Sequence, residues 1–302
     1  MTGLNLIKPI LPILFLLLFL LTSCGIYNKS DARVVSPNVD ERVKQALEED
    51  LKPSGDITTK LLSFKDKKTK SKIIAKQSGV IAGLDFCRAA FKLAGKETVF
   101  SKKINDGAKV KKGKVIATIV AKIKTILTAE RTALNFLSHA SGIATLTNEF
   151  VNKSNKKTKI CCTRKTTPNL RLLEKYAVQK GGGFNHRYNL SDEIMIKDNH
   201  IYAETNLNLF VKKAIKTKKI ITVEIENINQ LKQVLGLRFK RILFDNMRLP
   251  ALRKCLKLCE NKYETEFSGN VSLKNIHQIL QTKVDRISIG ALTHSAKTFN
   301  FS

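Results

Sequence analysis

Residues 221–246, "ITVEIENINQLKQVLGLRFKRILFDN", contain two apolar runs on either side of a helical pattern. The runs "ITVEIE" and "RILFD" are short and rich in branched residues, which is typical of strands. Between them, "INQLKQVLG" has the apolar spacing of a helix. A strand, a helix and a second strand in this order predict two parallel strands joined by a crossover helix.

The same alternation extends through the second half of the chain. Further strand-like runs are "KICCT", "EIMIK", "YETEFS" and "RISIGA", and helical patterns include "PNLRLLEKYAVQK", "LPALRKCLKLCE" and "LKNIHQILQTK". Strands and helices that alternate at roughly twenty-residue spacing predict a parallel sheet, either doubly wound or closed into a barrel. Because no GxGxxG motif follows the first strand, the dinucleotide-binding version is disfavoured.

The first half of the chain has a different pattern. "VDERVKQALEEDL" predicts a helix, which "KPSGDITT" then breaks. Two strands in "SKIIAKQSGVIAG", a helix in "LDFCRAAFKLAG" and short strands joined at Gly107 and Gly113 follow. A long helical pattern, "TAERTALNFLSHASGIATLTNEFV", crosses into the second region.

Each predicted strand of the second region is apolar until its carboxyl end, where polar or small residues follow. These are Thr163, Arg164, Lys165, Lys197, Glu224, Asp245, Ser268, Gly269, Asn270 and Gly290. The carboxyl ends of parallel strands in a barrel converge on one face, where active sites lie. Six successive strand ends that behave alike therefore predict a single site.

The converging cations predict an anionic ligand. Arg164, Lys165, Arg187 and Lys197 are permanently charged, and His186 stands beside Arg187. Arginine binds carboxylates through a bidentate fork, whereas lysine acts as a point charge on phosphate. A ligand that carries several anionic groups fits this set.

Two carboxylates, Glu224 and Asp245, would repel such an anion directly. They fit a site in which a hard cation lies between them and a phosphate, or in which they bind sugar hydroxyls. The small residues of "SGN" and "GAL" offer backbone N–H groups to a terminal phosphate, and the helix after "SGN" would favour it. The residues alone thus predict a phosphorylated, Mg²⁺-chelated sugar and a carboxylated second substrate. His139 and His200 are interpreted as structural.

The net charge is +29, from 54 Lys and Arg against 25 Asp and Glu. This excess indicates either a nucleic-acid partner or a lysine-rich solvated surface. The lysine clusters are scattered and lack interleaved aromatic residues, which favours the second interpretation. The six cysteines form no CxxC pair or zinc-like spacing, and the adjacent Cys161 and Cys162 cannot easily bridge, so the usage suits a reducing compartment.

Residues 1–35 form an apolar extension that we exclude from the fold. "ILPILFLLLFLL" resembles the hydrophobic part of a signal peptide, and "LTSC" resembles a lipoprotein processing site at Cys24. The alternative is a start site assigned too far upstream, although the only methionines are Met1, Met195 and Met247. Both interpretations stay open.

The sequence resembles the carboxylating nicotinate-nucleotide pyrophosphorylases, also called quinolinate phosphoribosyltransferases, over about residues 39–296. The motifs that carry the resemblance, in chain order, are "EEDLKPSGDITT", "GVIAGLDF", "AERTALNFLSHASGIAT", "TRKTTPNLRLLEKYAV", "GGGFNHRYNLSDEIMIKDNHI", "VEIEN", "LFDNM", "FSGNV" and "IGALTHSA".

The resemblance implies an α/β protein with two domains and a dimeric assembly, or a hexamer of dimers. Residues 36–134, with 296–302, would form an α/β sandwich, and residues 135–295 an open (β/α) barrel of the type II phosphoribosyltransferase kind. The reaction would join quinolinate to phosphoribosyl pyrophosphate, giving nicotinate mononucleotide, pyrophosphate and CO₂ in de novo NAD biosynthesis. It would occur in the cytoplasm, unless the extension is real and anchors a lipoprotein through Cys24.

The resemblance also assigns roles to residues. Lys165, Glu224 and Asp245 would be catalytic, with Glu224 and Asp245 holding Mg²⁺ directly or through phosphoribosyl pyrophosphate. Arg131 would reach the neighbouring subunit's site. The other implied substrate-binding residues are Thr163, Arg164, His186, Arg187, Lys197, Ser268, Gly269, Asn270, Ile289, Gly290 and Ala291. Gly181 to Gly183 would let the chain approach closely.

Two alternatives remain. One is a paralogue of the same fold, of the molybdenum-associated type, that acts on a different base. The other, which no motif supports, is a basic nucleic-acid-binding protein.

Overall fold

The computed structural model describes residues 29–154, 157–204 and 206–302. The apolar run and Cys24 of the predicted extension lie outside these residues. Among the helices that are described, we find none whose length and hydropathy would suit a membrane span.

The first half of the chain folds around a small antiparallel sheet. Its elements are α1 (Lys29–Leu51), α2 (Ile57–Lys60), β1 (Lys68–Ile74), β2 (Gly79–Val80), α3 (Leu84–Ala94), β3 (Val99–Lys102), β4 (Lys109–Val110) and β5 (Val115–Lys122). Strand β5 lies between β1 and β3, and β2 pairs with β4. The short helix α2 was not predicted, because Pro53 and Gly55 indicate a break. It begins directly after them, where the Asp56 side chain accepts a hydrogen bond from the Thr59 N–H group at 2.9 Å.

The predicted long helix is confirmed as α4 (Ile123–Lys153), which is 31 residues long. Its buried side chains include Ala133, Leu137 and Ala140 towards the first half of the chain, where it packs against α3, and Phe150 further along. Further on it packs against α5 (Arg171–Lys180) of the second half. One continuous helix therefore links the two halves.

The second half is the predicted open barrel. After β6 (Lys159–Cys161) and α5 come β7 (Ile194–Ile196), α6 (Asp198–Glu204), α7 (Leu207–Ile215), β8 (Ile221–Ile225), α8 (Ile228–Val234), β9 (Arg241–Asp245), α9 (Leu249–Cys259), β10 (Glu264–Ser268), α10 (Ile276–Leu280), β11 (Arg286–Ser288) and α11 (Ala291–His294). The sheet order is β6-β11-β10-β9-β8-β7, and every pair is parallel. Strands β6 and β7 follow one another in the chain yet form the two edges of this sheet, so the barrel is open between them.

The barrel strands are less apolar than the sequence suggests, because charged side chains fill part of the interior. Arg241 lies 3.2 Å from Glu193 and 3.0 Å from Glu264, and Arg286 lies 3.2 Å from the fully buried Glu266. Burial alone would raise the pKa of Glu266, but His186, Arg286 and the Ser288 hydroxyl lower it to about 2. These ions stabilise one another in a space that apolar side chains fill in many barrels.

Five cysteines of the described chain, Cys87, Cys161, Cys162, Cys255 and Cys259, are buried free thiols. The expectation that Cys161 and Cys162 do not bridge is therefore confirmed. Within the described residues, no group of three or more His, Cys, Asp or Glu side chains could hold a metal ion by itself.

The carboxyl-terminal segment returns to the first half of the chain. Its backbone pairs with β1, where Ile74 N–H donates to Ser302 at 2.7 Å, and Phe299 N–H donates to the Ser138 carbonyl of α4 at 2.9 Å. Gly142 of α4 lies directly beneath the Lys297 carbonyl, and a Cβ atom at residue 142 would collide with that backbone. The absence of a side chain at Gly142 thus permits the contact.

We expect Gly142→Ala to lower the free energy of unfolding by about 2 kcal/mol, because the added methyl group would push the terminal segment away from α4. Urea denaturation measures this change. Asn135→Ala, at an exposed position of the same helix, is the control and should change stability little. Equal stability of the Gly142→Ala variant and the wild type would contradict the close contact.

Candidate active site

A cavity of about 740 Å³ lies at the carboxyl ends of the barrel strands. It is lined by Thr163, Arg164, Lys165, His186, Arg187, Met195, Lys197, Glu224, Leu243, Asp245, Asn246, Glu266, Ser268, Gly269, Asn270, Val271, Ser288, Ile289, Gly290, Ala291 and His294. With the exception of Arg131, every residue that the sequence predicted for the site contributes to this lining. Arg131, which the resemblance assigns to the neighbouring subunit's site, is exposed on α4.

Two guanidinium groups share one wall of the cavity. Burial lowers the pKa of Arg187, and the positive charge of Arg164 lowers it further. The Arg187 Nη1 atom donates to the Glu193 carbonyl at 3.1 Å. The Nε atom of Arg164 is buried and has no hydrogen-bond partner in the structure. An anion that bound here would satisfy this donor and reduce the repulsion between the two arginines.

The loop that carries Arg164 and Lys165 is held by two threonines. Lys165 N–H donates to Thr163 Oγ1 at 3.0 Å, and the Thr293 hydroxyl donates to the Lys165 carbonyl at 2.7 Å. The Lys165 side chain itself is exposed to the cavity mouth. Thr163 thus shapes the backbone turn through its hydroxyl group.

An acidic pair occupies the strand ends of β8 and β9. Glu224 forms an ion pair of 2.7 Å with Lys197, and Asp245 accepts hydrogen bonds from Ser268 and from Asn246 at 2.8 Å. Burial raises the pKa of Glu224. Lys197 opposes this change, whereas the negative charges of Asp245 and Asp198 reinforce it. The protein therefore holds Glu224 as a carboxylate that is less stable than it would be in water.

Small residues line the opposite part of the cavity. Gly269 has φ of 109°, and a Cβ atom there would overlap the Asn246 side chain. A Cβ atom at Gly290 would come within 3.2 Å of Lys165. The sequence suggested that a helix follows "SGN" directly, but α10 begins only at Ile276 and is five residues long. An asparagine-rich turn fills the interval instead, so the expected helix end does not adjoin Asn270.

His186 lines the cavity, but its ring faces protein carboxylates. Its Nδ1 atom lies 3.1 Å from Glu193 and its Nε2 atom 3.5 Å from Glu266. The preceding glycines allow close packing against α4, because a Cβ atom at Gly181 or Gly183 would collide with Thr147. The close approach that the glycines permit is therefore to helix α4.

Several lining residues were not predicted: Met195, Leu243, Asn246, Glu266, Val271, Ser288 and His294. Glu266 and Ser288 belong to the alternation along β10 and β11, in which every second side chain points into the barrel. The alternation of polar and apolar residues in "ETEFS" indicates this arrangement, but the run was interpreted as an apolar strand.

We expect Glu224→Gln to raise the melting temperature at pH 7.5 by about 2 °C, because an active-site carboxylate held in an unfavourable environment costs stability. A group whose pKa is raised by folding favours the folded state below its unfolded pKa and loses this contribution as the pH rises through its folded pKa. The gain should therefore shrink when the pH is lowered to 4, because Glu224 takes up a proton as the pH falls.

Thermal unfolding at both pH values tests this expectation. Glu226→Gln, at the exposed neighbouring glutamate, is the matched control and should change neither value. A loss of stability for Glu224→Gln at pH 7.5 would show that the ion pair with Lys197 outweighs the burial of the carboxylate.

Comparison with known proteins identifies the family. The model for the quinolinate phosphoribosyl transferase N-terminal domain matches residues 56–141, and the model for the C-terminal domain matches residues 143–302. A probable nicotinate-nucleotide pyrophosphorylase [carboxylating] of Bacillus subtilis is 40% identical over 255 residues, which cover 82% of this chain and 87% of that protein. A mitochondrial quinolinate phosphoribosyltransferase [decarboxylating] 2b of Nicotiana tabacum is 37% identical over 88% of this chain and 81% of its own length.

A solved structure agrees with the sequence relatives. The crystal structure of NadC from Streptococcus pyogenes is similar at a TM-score of 0.83 and 38% identity, over 87% of this chain and 95% of that one. The two family models together span most of the described fold and meet within α4. The chain belongs to the quinolinate phosphoribosyltransferase family.

Proposed function

We propose that this protein is a nicotinate-nucleotide pyrophosphorylase (carboxylating), a pentosyl transferase of NAD biosynthesis. It transfers the phosphoribosyl group of phosphoribosyl pyrophosphate to quinolinate and releases pyrophosphate and CO₂. One observation carries the proposal: Arg164, whose Nε atom has no partner in the structure, and Arg187 line a single cavity together with Lys197, Glu224 and Asp245.

Quinolinate carries two adjacent carboxylates, which fit the wall formed by Arg164 and Arg187. Each guanidinium offers parallel N–H donors to one carboxylate. His186 supports this wall from behind, because its ring already faces Glu193 and Glu266. The sequence predicted a direct contact between His186 and the substrate. Its main role here is to position the Arg187 segment.

The phosphosugar fits the remaining part of the cavity. Glu224 and Asp245 bind the ribose hydroxyls, and Lys165 and Lys197 meet the pyrophosphate. The region formed by Ser268, Gly269, Asn270, Ile289, Gly290 and Ala291 receives the 5′-phosphate, and Thr163 maintains the Lys165 turn. The small residues of this region leave room for a phosphate group.

The acidic pair fits Mg²⁺ that is chelated by the substrate. Mg²⁺ retains several waters and is commonly held by one or two carboxylates together with substrate phosphates. Glu224 and Asp245 provide such a pair, whereas the described residues contain no larger cluster of metal ligands. When bound, Mg²⁺ would neutralise charge on the leaving pyrophosphate.

The side chains of the cavity then explain the order of bond changes. The bond from C1 of ribose to the pyrophosphate oxygen breaks, and Lys165 and Lys197 stabilise the departing charge. Glu224 and Asp245 stabilise the positive charge that develops on the ribose. The pyridine nitrogen forms the new bond to C1 and becomes positively charged. The bond between the adjacent ring carbon, C2, and its carboxylate then breaks and releases CO₂. The electron pair stays on C2, where the neighbouring positive nitrogen stabilises it until water supplies a proton. The protein acts chiefly by positioning two anions and neutralising their charge.

The wider organisation is also proposed. The division into residues 36–134 (with 296–302) and 135–295 is supported by the pairing of the terminal segment with β1. A homodimer is supported by the exposure of Arg131 outside its own cavity. A cytoplasmic location is supported by the supply of phosphoribosyl pyrophosphate there, while the lipoprotein alternative depends on Cys24, outside the described residues.

The purified protein should release nicotinate mononucleotide from quinolinate, phosphoribosyl pyrophosphate and Mg²⁺. Arg187→Ala should lower kcat/KM for quinolinate at least about 100-fold, because a charge-assisted bidentate contact is lost. Binding of phosphoribosyl pyrophosphate, measured by calorimetry, should change little. Arg238→Ala, at an exposed arginine of the same barrel, is the control.

Equal loss of both ligands in the Arg187→Ala variant would contradict the assignment of Arg187 to the carboxylates. A wild-type protein that binds phosphoribosyl pyrophosphate but ignores quinolinate would instead favour the paralogue that acts on a different base.

Subunit mixing tests the proposed role of Arg131. Arg131→Ala and Lys165→Ala should each be nearly inactive as pure proteins. After denaturation and refolding together, about a quarter of wild-type activity should return, because half of the dimers are mixed and each has one complete site. No recovery beyond the sum of the separate variants would show that Arg131 acts within its own subunit.

A further inference from the structure

Helix α5 contains two adjacent charged residues that do not line the cavity. Glu174 is 0% exposed and Lys175 is 2% exposed. Charged side chains are seldom buried to this extent unless specific partners compensate for the lost hydration. Their partners are the two loops that carry the arginines of the cavity.

Glu174 contacts the first of these loops. Its Oε2 atom accepts a hydrogen bond from the Thr167 N–H group at 3.1 Å, and its Oε1 atom lies 2.9 Å from His139 of α4. Thr167 follows Arg164 by three residues, so the carboxylate connects the loop to both α5 and α4. His139, interpreted as structural from the sequence, is part of this connection.

Lys175 contacts the second loop. Its Nζ atom donates to the His186 carbonyl at 2.9 Å and lies 3.3 Å from Cys162 Sγ. The His186 carbonyl belongs to the peptide bond that leads into Arg187. Within the described residues, Lys175 forms no ion pair with a carboxylate, so the charge of the ammonium group is compensated chiefly by this carbonyl.

The two loops need such anchors because their side chains repel each other. Arg164 and Arg187 line the same cavity, and the positive charge of Arg164 adds to the effect of burial in lowering the pKa of Arg187. Adjacent residues of a helix point about 100° apart. One rigid element can therefore hold both loops at a set separation.

We propose that Glu174 and Lys175 are positioning residues that set the separation of Arg164 and Arg187, and with it the preference for two adjacent carboxylates. The inference rests on the proposed function, since it concerns the same dicarboxylate. Lys175 acts on the backbone of the Arg187 segment through the His186 carbonyl. Its other contact, with the Cys162 side chain, precedes the loop that carries Arg164. Glu174 acts on the loop that holds both Arg164 and Lys165, and so on both substrates.

The test compares the KM values of the two substrates in the full-length enzyme. Lys175→Met should raise the KM for quinolinate about 10-fold or more and leave that for phosphoribosyl pyrophosphate within about twofold, because a 1 Å displacement of a binding group has effects of this order or larger. Lys175→Arg can still donate to the His186 carbonyl and should recover part of the affinity. Glu174→Gln should raise both KM values, since it removes the negative charge and offers one acceptor oxygen where the carboxylate offers two.

Lys212→Met, at an exposed lysine of α7, is the matched control and should change neither KM. Calorimetric titration with quinolinate measures the same loss without turnover and separates the two ideas. Wild-type protein that neither binds nor converts quinolinate would refute the proposed function itself. Wild-type protein that does both, beside a folded Lys175→Met variant with unchanged quinolinate affinity or with equal loss of both substrates, would refute the positioning role alone.

If Lys175→Met fails to fold, Lys175→Arg and Glu174→Gln decide the question in the same assays. One-sided loss of quinolinate affinity for the first and two-sided loss for the second support the proposal. The same pattern in both variants would overturn it.

Discussion

The parallel hydrogen bonding of six barrel strands is the constraint on which the rest of the structure depends. Each strand pairs in parallel with its neighbours, so all six end at the same rim. Residues far apart in the chain, such as Lys165, Glu224 and Gly290, therefore line one cavity. No local preference of these residues would bring them together. The shared direction of the strands brings these residues together, although the barrel is open between β6 and β7.

The charged side chains that meet in the cavity need ion-pair or hydrogen-bond partners. Lys197 is paired with Glu224, Asp245 is held by hydrogen bonds, and Arg187 donates to the Glu193 carbonyl. Behind the cavity lies a layer of charged side chains, formed by Arg241, Arg286, Glu193, Glu264 and Glu266. The His186 ring contacts Glu266 of this layer. Sites that bind anions are commonly built at some expense of stability. The raised pKa of Glu224 and the lowered pKa of Arg187 are the local signs of that expense.

Much of the site could be predicted, because a change from apolar to charged residues in the sequence marks the end of a strand. A short apolar run followed by one charged residue identifies both the strand and its functional end, as in "ILF" before Asp245. The interior of the barrel was not predicted, because the runs that hold Glu266 and Ser288 were interpreted as apolar strands although polar and apolar residues alternate in them. Helix α5 was harder still. In its sequence, Glu174 and Lys175 look like the solvated face of an amphipathic helix, and only the packing of α4 and the two loops makes them buried.

By itself, the sequence determined the family, the alternation of strands and helices in the second half of the chain, and many of the residues that meet at the rim. These properties follow from local patterns and from the general rule that parallel strands share one edge. The tertiary structure alone decided that the His186 ring faces Glu193 and Glu266, and that Gly142 makes room for the carboxyl-terminal segment. The physical reason is that burial, pairing and steric contact depend on atoms that are distant in the chain, and their positions exist only once the chain has packed.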